Sequence, residues 1–135
     1  ARGDHAAAVG CALEMRAAAM RAYASADAVI ATAAVSDYRP AKRVKGKMKK
    51  GPARMSLPLV RTPDILGEMG KRKGKRRLIG FALETKDEVA NALGKLDAKQ
   101  LDHVVLDSPA AFGADRIDAA AIHADGRRGA VRDSR

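Results

Sequence analysis

The residues best suited to chemistry lie together in one segment, where an acidic residue is followed by a dense group of lysines. Asp37 comes shortly after the apolar run 28–33, and that run predicts a strand buried on both faces. Seven lysines and arginines then fall between Lys42 and Arg54. A carboxylate at a strand end can hold a metal ion or a ribose hydroxyl, and several cations can offset the charge of a triphosphate. The segment therefore predicts a site for a polyphosphate ligand.

Each of these features also has a simpler interpretation. Asp37 could be an ordinary turn aspartate, and a basic run is often a solvated face or an electrostatic handle for nucleic acid. A second basic run, Lys71–Arg77, follows a predicted helix end and is interpreted as a solvated loop. Lys95 and Lys99 project from one face of a predicted helix. They could close over phosphates or simply complement the helix dipole.

Composition limits the classes of protein that fit. The 135 residues suffice for one domain spanning residues 1–135. A single cysteine excludes an internal disulfide and predicts a cytoplasmic location. No apolar run approaches the roughly 18 residues of a membrane span. The formal charge of +10 predicts attraction to polyanions, without choosing between nucleic acid, phospholipid and a nucleoside triphosphate.

Several common motifs are absent from the sequence. Neither G-x-x-x-x-G-K-[ST] nor G-x-G-x-x-G occurs. His5, His103 and His123 are isolated from one another along the chain, so the spacing indicates no histidine metal site and no Ser-His-Asp set.

Strands and helices alternate along the chain. Strands are predicted at residues 6–10, 28–33, 77–82 and 103–106, helices at 12–24, 62–70 and 86–99, and a closing hairpin at 119–123 and 129–132. Thr62 is predicted as the N-cap of its helix, with Pro63 at the first helical position. Residues 85–88 fit a capping box. This order predicts an α/β fold with a mostly parallel sheet.

Residues 42–60 predict an extended arm. Apolar side chains at Met55, Leu57 and Leu59 recur with a period of two, which suits a hairpin with one apolar face. Such a face needs a cover, and a second subunit is one candidate.

Six short motifs occur in an order and spacing that resemble one family. They are ALEM at 12–15, AAVSDYRP at 33–40, KMKK at 47–50, TPDI at 62–65, GFALET at 80–85 and KLDAKQLD at 95–102. Together they resemble phosphopantothenate–cysteine ligase, the synthetase domain of the bifunctional bacterial proteins of coenzyme A biosynthesis. The resemblance covers roughly residues 13–115.

The resemblance implies a Rossmann-like, three-layer α/β domain with a β-hairpin dimerisation arm. It implies a ligase that uses CTP and Mg²⁺ to convert the carboxylate of 4′-phosphopantothenate into an acyl-cytidylate, releasing pyrophosphate. The amine of cysteine then displaces CMP. It further implies a homodimer and a fused or associated flavin-dependent decarboxylase, with no membrane and no specific nucleic acid as partner.

The resemblance also implies roles for individual residues. Asp37 would contact the nucleotide or its metal, and Lys47 would bind the phosphates as the catalytic cation. Phe81 would lie near the cytosine. The remaining nucleotide-binding residues would be Thr62, Pro63, Asp64, Ile65, Lys95 and Lys99.

The chain departs from the family pattern in two respects. The family's opening strand, its glycine-rich loop and the asparagine that handles the acyl-cytidylate have no counterpart here, so an N-terminally truncated domain is expected. Leu106-Asp107 and Arg116 replace family residues, so the late loop is expected to bind substrate differently. Two other hypotheses stay open: a basic module that binds nucleic acid, and a non-catalytic relative that only dimerises.

Overall fold

The computed structural model describes residues 6–83, 87–107 and 119–131. Its elements are α1 (Ala12–Tyr23), β1 (Ala28–Ala31), β2 (Tyr38–Pro40), β3 (Leu59–Arg61), α2 (Ile65–Gly70), β4 (Arg77–Leu83), α3 (Glu88–Ala98), β5 (His103–Asp107), β6 (Ala119–His123) and β7 (Arg128–Val131). Five strands form one sheet in the order β1-β4-β5-β6-β7. β1, β4 and β5 pair in parallel, and β6 is antiparallel to both β5 and β7. Four of these five strands therefore run in the same direction, which confirms the predicted α/β class.

The hydrophobic core lies on one face of this sheet. Leu78, Val104 and Ile122 are fully buried there, because alternate residues of a strand point to the same side. Gly80 lies on that face too, and a Cβ at this position would come within 2.9 Å of Leu101 and 3.2 Å of Leu66. The glycine therefore allows the helical layer to approach the sheet closely. All three helices contribute side chains to this core.

The opposite face of the sheet is much more exposed. Ile30 is 64% exposed and Phe81 is 44% exposed. The prediction that the strand beginning at Ala28 is buried on both faces was therefore wrong, since continuous apolar sequence does not guarantee a cover on each side. The described helices form one layer, and the second helical layer of the expected three-layer arrangement is not among the described residues.

Helix α1 confirms the predicted helix almost to the residue, as expected for a run of strong helix formers. It is joined to α2 by contacts near its middle and at its last residue. Arg16 donates two hydrogen bonds to the Glu68 carboxylate, at 2.6 and 2.7 Å, and the Tyr23 hydroxyl donates to the Met69 carbonyl at 2.9 Å. The predicted strand at residues 6–10 was wrong: the segment has no regular structure, in keeping with its alanines.

The start of α2 differs from the prediction. Asp64, and not Thr62, is the N-cap, and its side chain accepts a hydrogen bond from the Gly67 amide at 3.0 Å. Thr62 lies before the helix, and its amide donates to the Asp37 carbonyl at 2.8 Å. That bond continues the hairpin pairing up to the residues before the helix.

The arm is a hairpin at its base alone. β2 pairs antiparallel with β3, with Tyr38 opposite Arg61 and Pro40 opposite Leu59. Residues 41–58 contain no strand, and their side chains are exposed. Among them are the large apolar side chains of Val44, Met48, Met55 and Leu57. The apolar face expected from the sequence is therefore uncovered within this chain.

The end of the described chain forms the predicted hairpin. β6 and β7 pair across a turn in which Gly126 takes a φ of +83°. The predicted capping box at residues 85–88 and Arg116 fall wholly or partly outside the described residues. No helix in the described ranges is long and apolar enough to cross a membrane.

Candidate functional site

A cavity of about 740 Å³ opens beside the carboxyl ends of β1 and β4. Ligands of open α/β sheets bind at this edge. Seven of the nine residues predicted to bind a nucleotide line the cavity: Asp37, Thr62, Pro63, Asp64, Ile65, Phe81 and Lys99. The structure thus brings together four parts of the chain that are far apart in sequence: Asp37, residues 62–65, Phe81 and Lys99.

The base of the arm explains why the first two segments meet. β2 follows Asp37 directly, β3 precedes Thr62 directly, and the two strands pair. The hydrogen bond from the Thr62 amide to the Asp37 carbonyl closes this arrangement. Residues 37 and 62–65 therefore lie side by side even though 24 residues separate Asp37 from Thr62. β4 contributes Phe81 to the cavity wall, and the end of α3 contributes Lys99.

Asp64 and Lys99 form an ion pair on the cavity wall. The Lys99 Nζ lies 2.9 Å from Asp64 Oδ1, the oxygen that also accepts the Gly67 amide. Partial burial acts to raise the pKa of Asp64, but the Gly67 amide and the Lys99 ammonium outweigh it and hold that pKa below its ordinary value. The Asp64 carboxylate is therefore charged at neutral pH.

The other two predicted lysines do not line the cavity. Lys47 lies in the exposed part of the arm. Lys95 is half-buried in the last turn of α3, four residues before Lys99. Helical geometry places Lys95 and Lys99 on neighbouring turns. Lys95 therefore lies one helical turn from Lys99, which lines the cavity. Lys47, in contrast, is carried by the exposed arm.

The side chains around Asp37 bear on its predicted role as a metal ligand. Among the residues that the structure describes, no group of three or more His, Cys, Asp or Glu side chains could hold a metal ion. Mg²⁺ is typically held by one or two carboxylates together with substrate phosphates and water. Asp37 on the cavity wall fits that mode of binding, and it does not fit a metal cage made of protein ligands alone.

Sequence reasoning missed part of the cavity wall. Tyr38 and Arg61 both line it, opposite each other in the hairpin base. Arg61 adds a cation that was not predicted. The signal was available, because Arg61 directly precedes the TPDI motif and Tyr38 directly follows Asp37. An apolar part, which includes Met15, Val29 and Leu66, was also missed. Val29 and Leu66 lie outside the motifs, and Met15 ends the ALEM motif but was not assigned to the site.

Comparison with known proteins places the chain in a family. The model of the "DNA/pantothenate metabolism flavoprotein C-terminal domain" matches residues 2–134. The chain belongs to this family. The Bacillus subtilis (strain 168) coenzyme A biosynthesis bifunctional protein CoaBC is 42% identical over 124 residues, which are 89% of this chain and 30% of that protein. The family resemblance drawn from the six motifs is confirmed.

A second relative has a different name. A cysteine/cysteine sulfinic acid decarboxylase from an unknown prokaryotic organism is 45% identical over 101 residues, covering 74% of this chain and 28% of that protein. The chain thus spans less than a third of the length of either curated relative.

Solved structures agree with the assignment. The crystal structure of the C-terminal domain of CoaBC is similar with a TM-score of 0.72 at 32% identity, covering 91% of this chain and 54% of that one. The DNA/pantothenate metabolism flavoprotein from Streptococcus pneumoniae has a TM-score of 0.76 at 20% identity, with coverage of 92% and 64%. At that identity the second likeness concerns the fold alone.

Proposed function

We propose that this chain carries the nucleotide-binding part of a phosphopantothenate–cysteine ligase of coenzyme A biosynthesis. In this reaction the carboxylate of 4′-phosphopantothenate attacks the α-phosphorus of CTP and pyrophosphate leaves. The amine of cysteine then attacks the acyl carbon of the acyl-cytidylate, and CMP leaves. The observation that carries the proposal is the cavity in which Asp37, residues 62–65, Phe81 and Lys99 meet.

The cavity offers chemically distinct contacts for the parts of a nucleotide. Phe81 is 44% exposed, so its ring is open to contact with a base. Asp37 suits a ribose hydroxyl or a Mg²⁺ ion bound to the phosphates, which would add positive charge where the pyrophosphate departs. Lys95, Lys99 and Lys47 would offset the negative charge of the triphosphate, with Lys47 acting as the catalytic cation on the leaving group.

The arm supports an association with a second copy of the chain. Four large apolar side chains of the arm are each more than half exposed: Val44, Met48, Met55 and Leu57. Burial of such side chains is favourable, so an exposed group of them favours a covering partner. We infer that a homodimer covers them and that the arm brings Lys47 to a nucleotide. A fused or associated flavin-dependent decarboxylase and a cytoplasmic location complete the proposal, consistent with relatives that are bifunctional.

Calorimetric titration of CTP and ATP with Mg²⁺ at physiological salt tests the proposal. CTP is expected to bind at least about ten-fold more tightly than ATP, and Lys47→Ala is expected to weaken CTP binding by about ten-fold. Lys75→Ala is the matched control, because it removes one exposed lysine from the other basic run. Equal binding of CTP and ATP, with a steep loss of affinity in added salt, would contradict the proposal and favour a general polyanion surface.

A further inference from the structure

The Asp64–Lys99 pair has a feature that a simple phosphate site does not need. A cavity for polyphosphate gains from an unneutralised cation, yet Lys99 is already paired with a carboxylate on the same wall. Both side chains remain accessible, with Asp64 54% exposed and Lys99 31% exposed. A ligand in the cavity can therefore reach the pair without any movement of the backbone.

Asp64 is held in place by its own helix. Its side chain accepts the Gly67 amide, and a Cβ at residue 67 would lie only 2.7 Å from Asp64 Oδ2. The glycine thus leaves room for the carboxylate against the first turn of α2. As the N-cap of α2, Asp64 cannot swing away without leaving a helix amide unpaired.

The backbone of Lys99 is also fixed against α2, whereas its side chain is long. A Cβ at Gly70 would collide with the Lys99 carbonyl oxygen, so the close approach of the two helix ends requires glycine there. Of the two charged partners, Lys99 is therefore the one that can change its partner, by rotating its flexible side chain. The short, capped Asp64 cannot do so.

We propose that Asp64 is a specificity-determining residue: it is the resident counter-ion of Lys99, and a ligand must displace it with a more strongly charged anion, such as a phosphate chain. The inference rests on the proposed function in one respect, namely that the phosphates of the ligand lie near Lys99. Uncharged ligands gain nothing from the exchange. Weakly charged anions gain little, because they must replace a carboxylate that is already well placed.

The test uses two probes, inorganic tripolyphosphate and uncharged cytidine, titrated into the full chain by calorimetry. Asp64→Asn removes the competing charge but keeps a good N-cap, so the helix is expected to remain intact. Tripolyphosphate is expected to bind about two- to five-fold more tightly to this variant, the size of effect typical of an exposed ion pair. The gain is expected to be larger for tripolyphosphate than for cytidine, which has no phosphate to exchange for Asp64.

Two further variants separate this inference from a general charge effect. Asp125→Asn is the matched control: Asp125 also accepts a backbone amide and pairs with a cation, Arg127, but it lies in the β6–β7 turn. It is expected to leave tripolyphosphate affinity unchanged. In Asp64→Asn/Lys99→Gln the gain is expected to disappear, since no lysine remains to be released.

The outcomes are distinct for the two proposals. Unchanged or weaker tripolyphosphate binding in Asp64→Asn, or an equal gain in Asp125→Asn, would overturn the counter-ion role, even if the chain selects CTP. A gain confined to Asp64→Asn, in a chain that does not prefer CTP over ATP, would uphold the counter-ion role and contradict the proposed function. Failure of every protein to bind tripolyphosphate would overturn the counter-ion role, and the titration of CTP against ATP would then decide the proposed function separately.

Discussion

The two basic runs of this chain look alike in sequence and differ completely in structure. The run between Lys42 and Arg54 lies in the exposed arm, and there is no acidic residue between Asp37 and Asp64. The second run, Lys71–Arg77, joins α2 to β4. Within the described ranges, the first run has no ion pair, whereas most members of the second contact a specific partner.

Those partners hold the second run to the body of the domain. Lys73 and Arg77 both pair with the Asp102 carboxylate, at 2.8 and 3.0 Å. Arg76 donates to two carbonyls just after α1, and its guanidinium lies 4.8 Å from the centre of the Tyr23 ring. The interpretation of this run as a solvated loop was therefore incomplete, because its backbone is on the surface but its side chains join elements.

The contrast shows what makes a charge run available for binding. A cation that is already neutralised must lose one partner before it gains another, so the second run offers little to a polyanion. The arm offers uncompensated charge at no such cost. Nearby carboxylates, and not the density of lysines, therefore decide which of the two runs suits a phosphate ligand.

The sharpest test of this contrast is Asp102→Ala. Asp102 is 12% exposed, accepts the Leu78 amide at 2.8 Å and pairs with two cations. Its removal leaves that amide and both cations without their shared acceptor. The free energy of unfolding is expected to fall by about 2–4 kcal/mol, measured by urea denaturation at pH 7.

Asp102→Asn separates the contributions to this loss. The amide oxygen can still accept from Leu78, so the variant is expected to lose less than Asp102→Ala. A loss below about 0.5 kcal/mol in Asp102→Ala would remove the distinction between the two basic runs.

Acid provides a second test of the same residue. Burial acts to raise the pKa of Asp102, but Lys73, the Leu78 amide and Arg77 lower it from 3.8 to about 2. Because the folded-state pKa is the lower one, the stabilisation is complete above pH 4 and is lost as the pH falls from 4 towards 2. The difference in unfolding free energy between the wild type and Asp102→Asn is expected to shrink by about 2 kcal/mol over this range.

Urea denaturation of both proteins at several pH values measures that difference directly. The low pKa values of Asp64, Glu68 and Asp125 affect both proteins equally and cancel. A constant difference from pH 7 to pH 2 would show that the charge of Asp102 is not what stabilises the loop.

The sequence predicted the elements well where the cause was local. The limits of α1 follow from a run of helix-forming residues, and those of the β6–β7 hairpin follow from the Asp125-Gly126 turn. Both signals lie within the element itself. The motifs that contain Asp37 and residues 62–65 also predicted that these residues belong to one site. The sequence did not predict that Asp102 pairs with Lys73 and Arg77, because Asp102 is more than 20 residues away in the chain. It comes close to them because β4 and β5 pair. The exposure of Ile30 likewise depends on what covers the sheet, which no local pattern encodes.

The smallest expected effect comes from the arm. Replacing Lys45, Lys49 and Lys50 together with Gln is expected to change the free energy of unfolding by less than about 0.5 kcal/mol, since exposed charges without partners stabilise little. The same triple replacement of Arg72, Lys73 and Arg77 is the matched comparison, and it should destabilise clearly because it removes three ion pairs. Urea denaturation of both variants measures the difference. A fall of more than about 1 kcal/mol in the unfolding free energy of the arm variant would mean that the arm lysines stabilise the fold much as the loop residues do. The arm would then not hold uncompensated charge for a ligand.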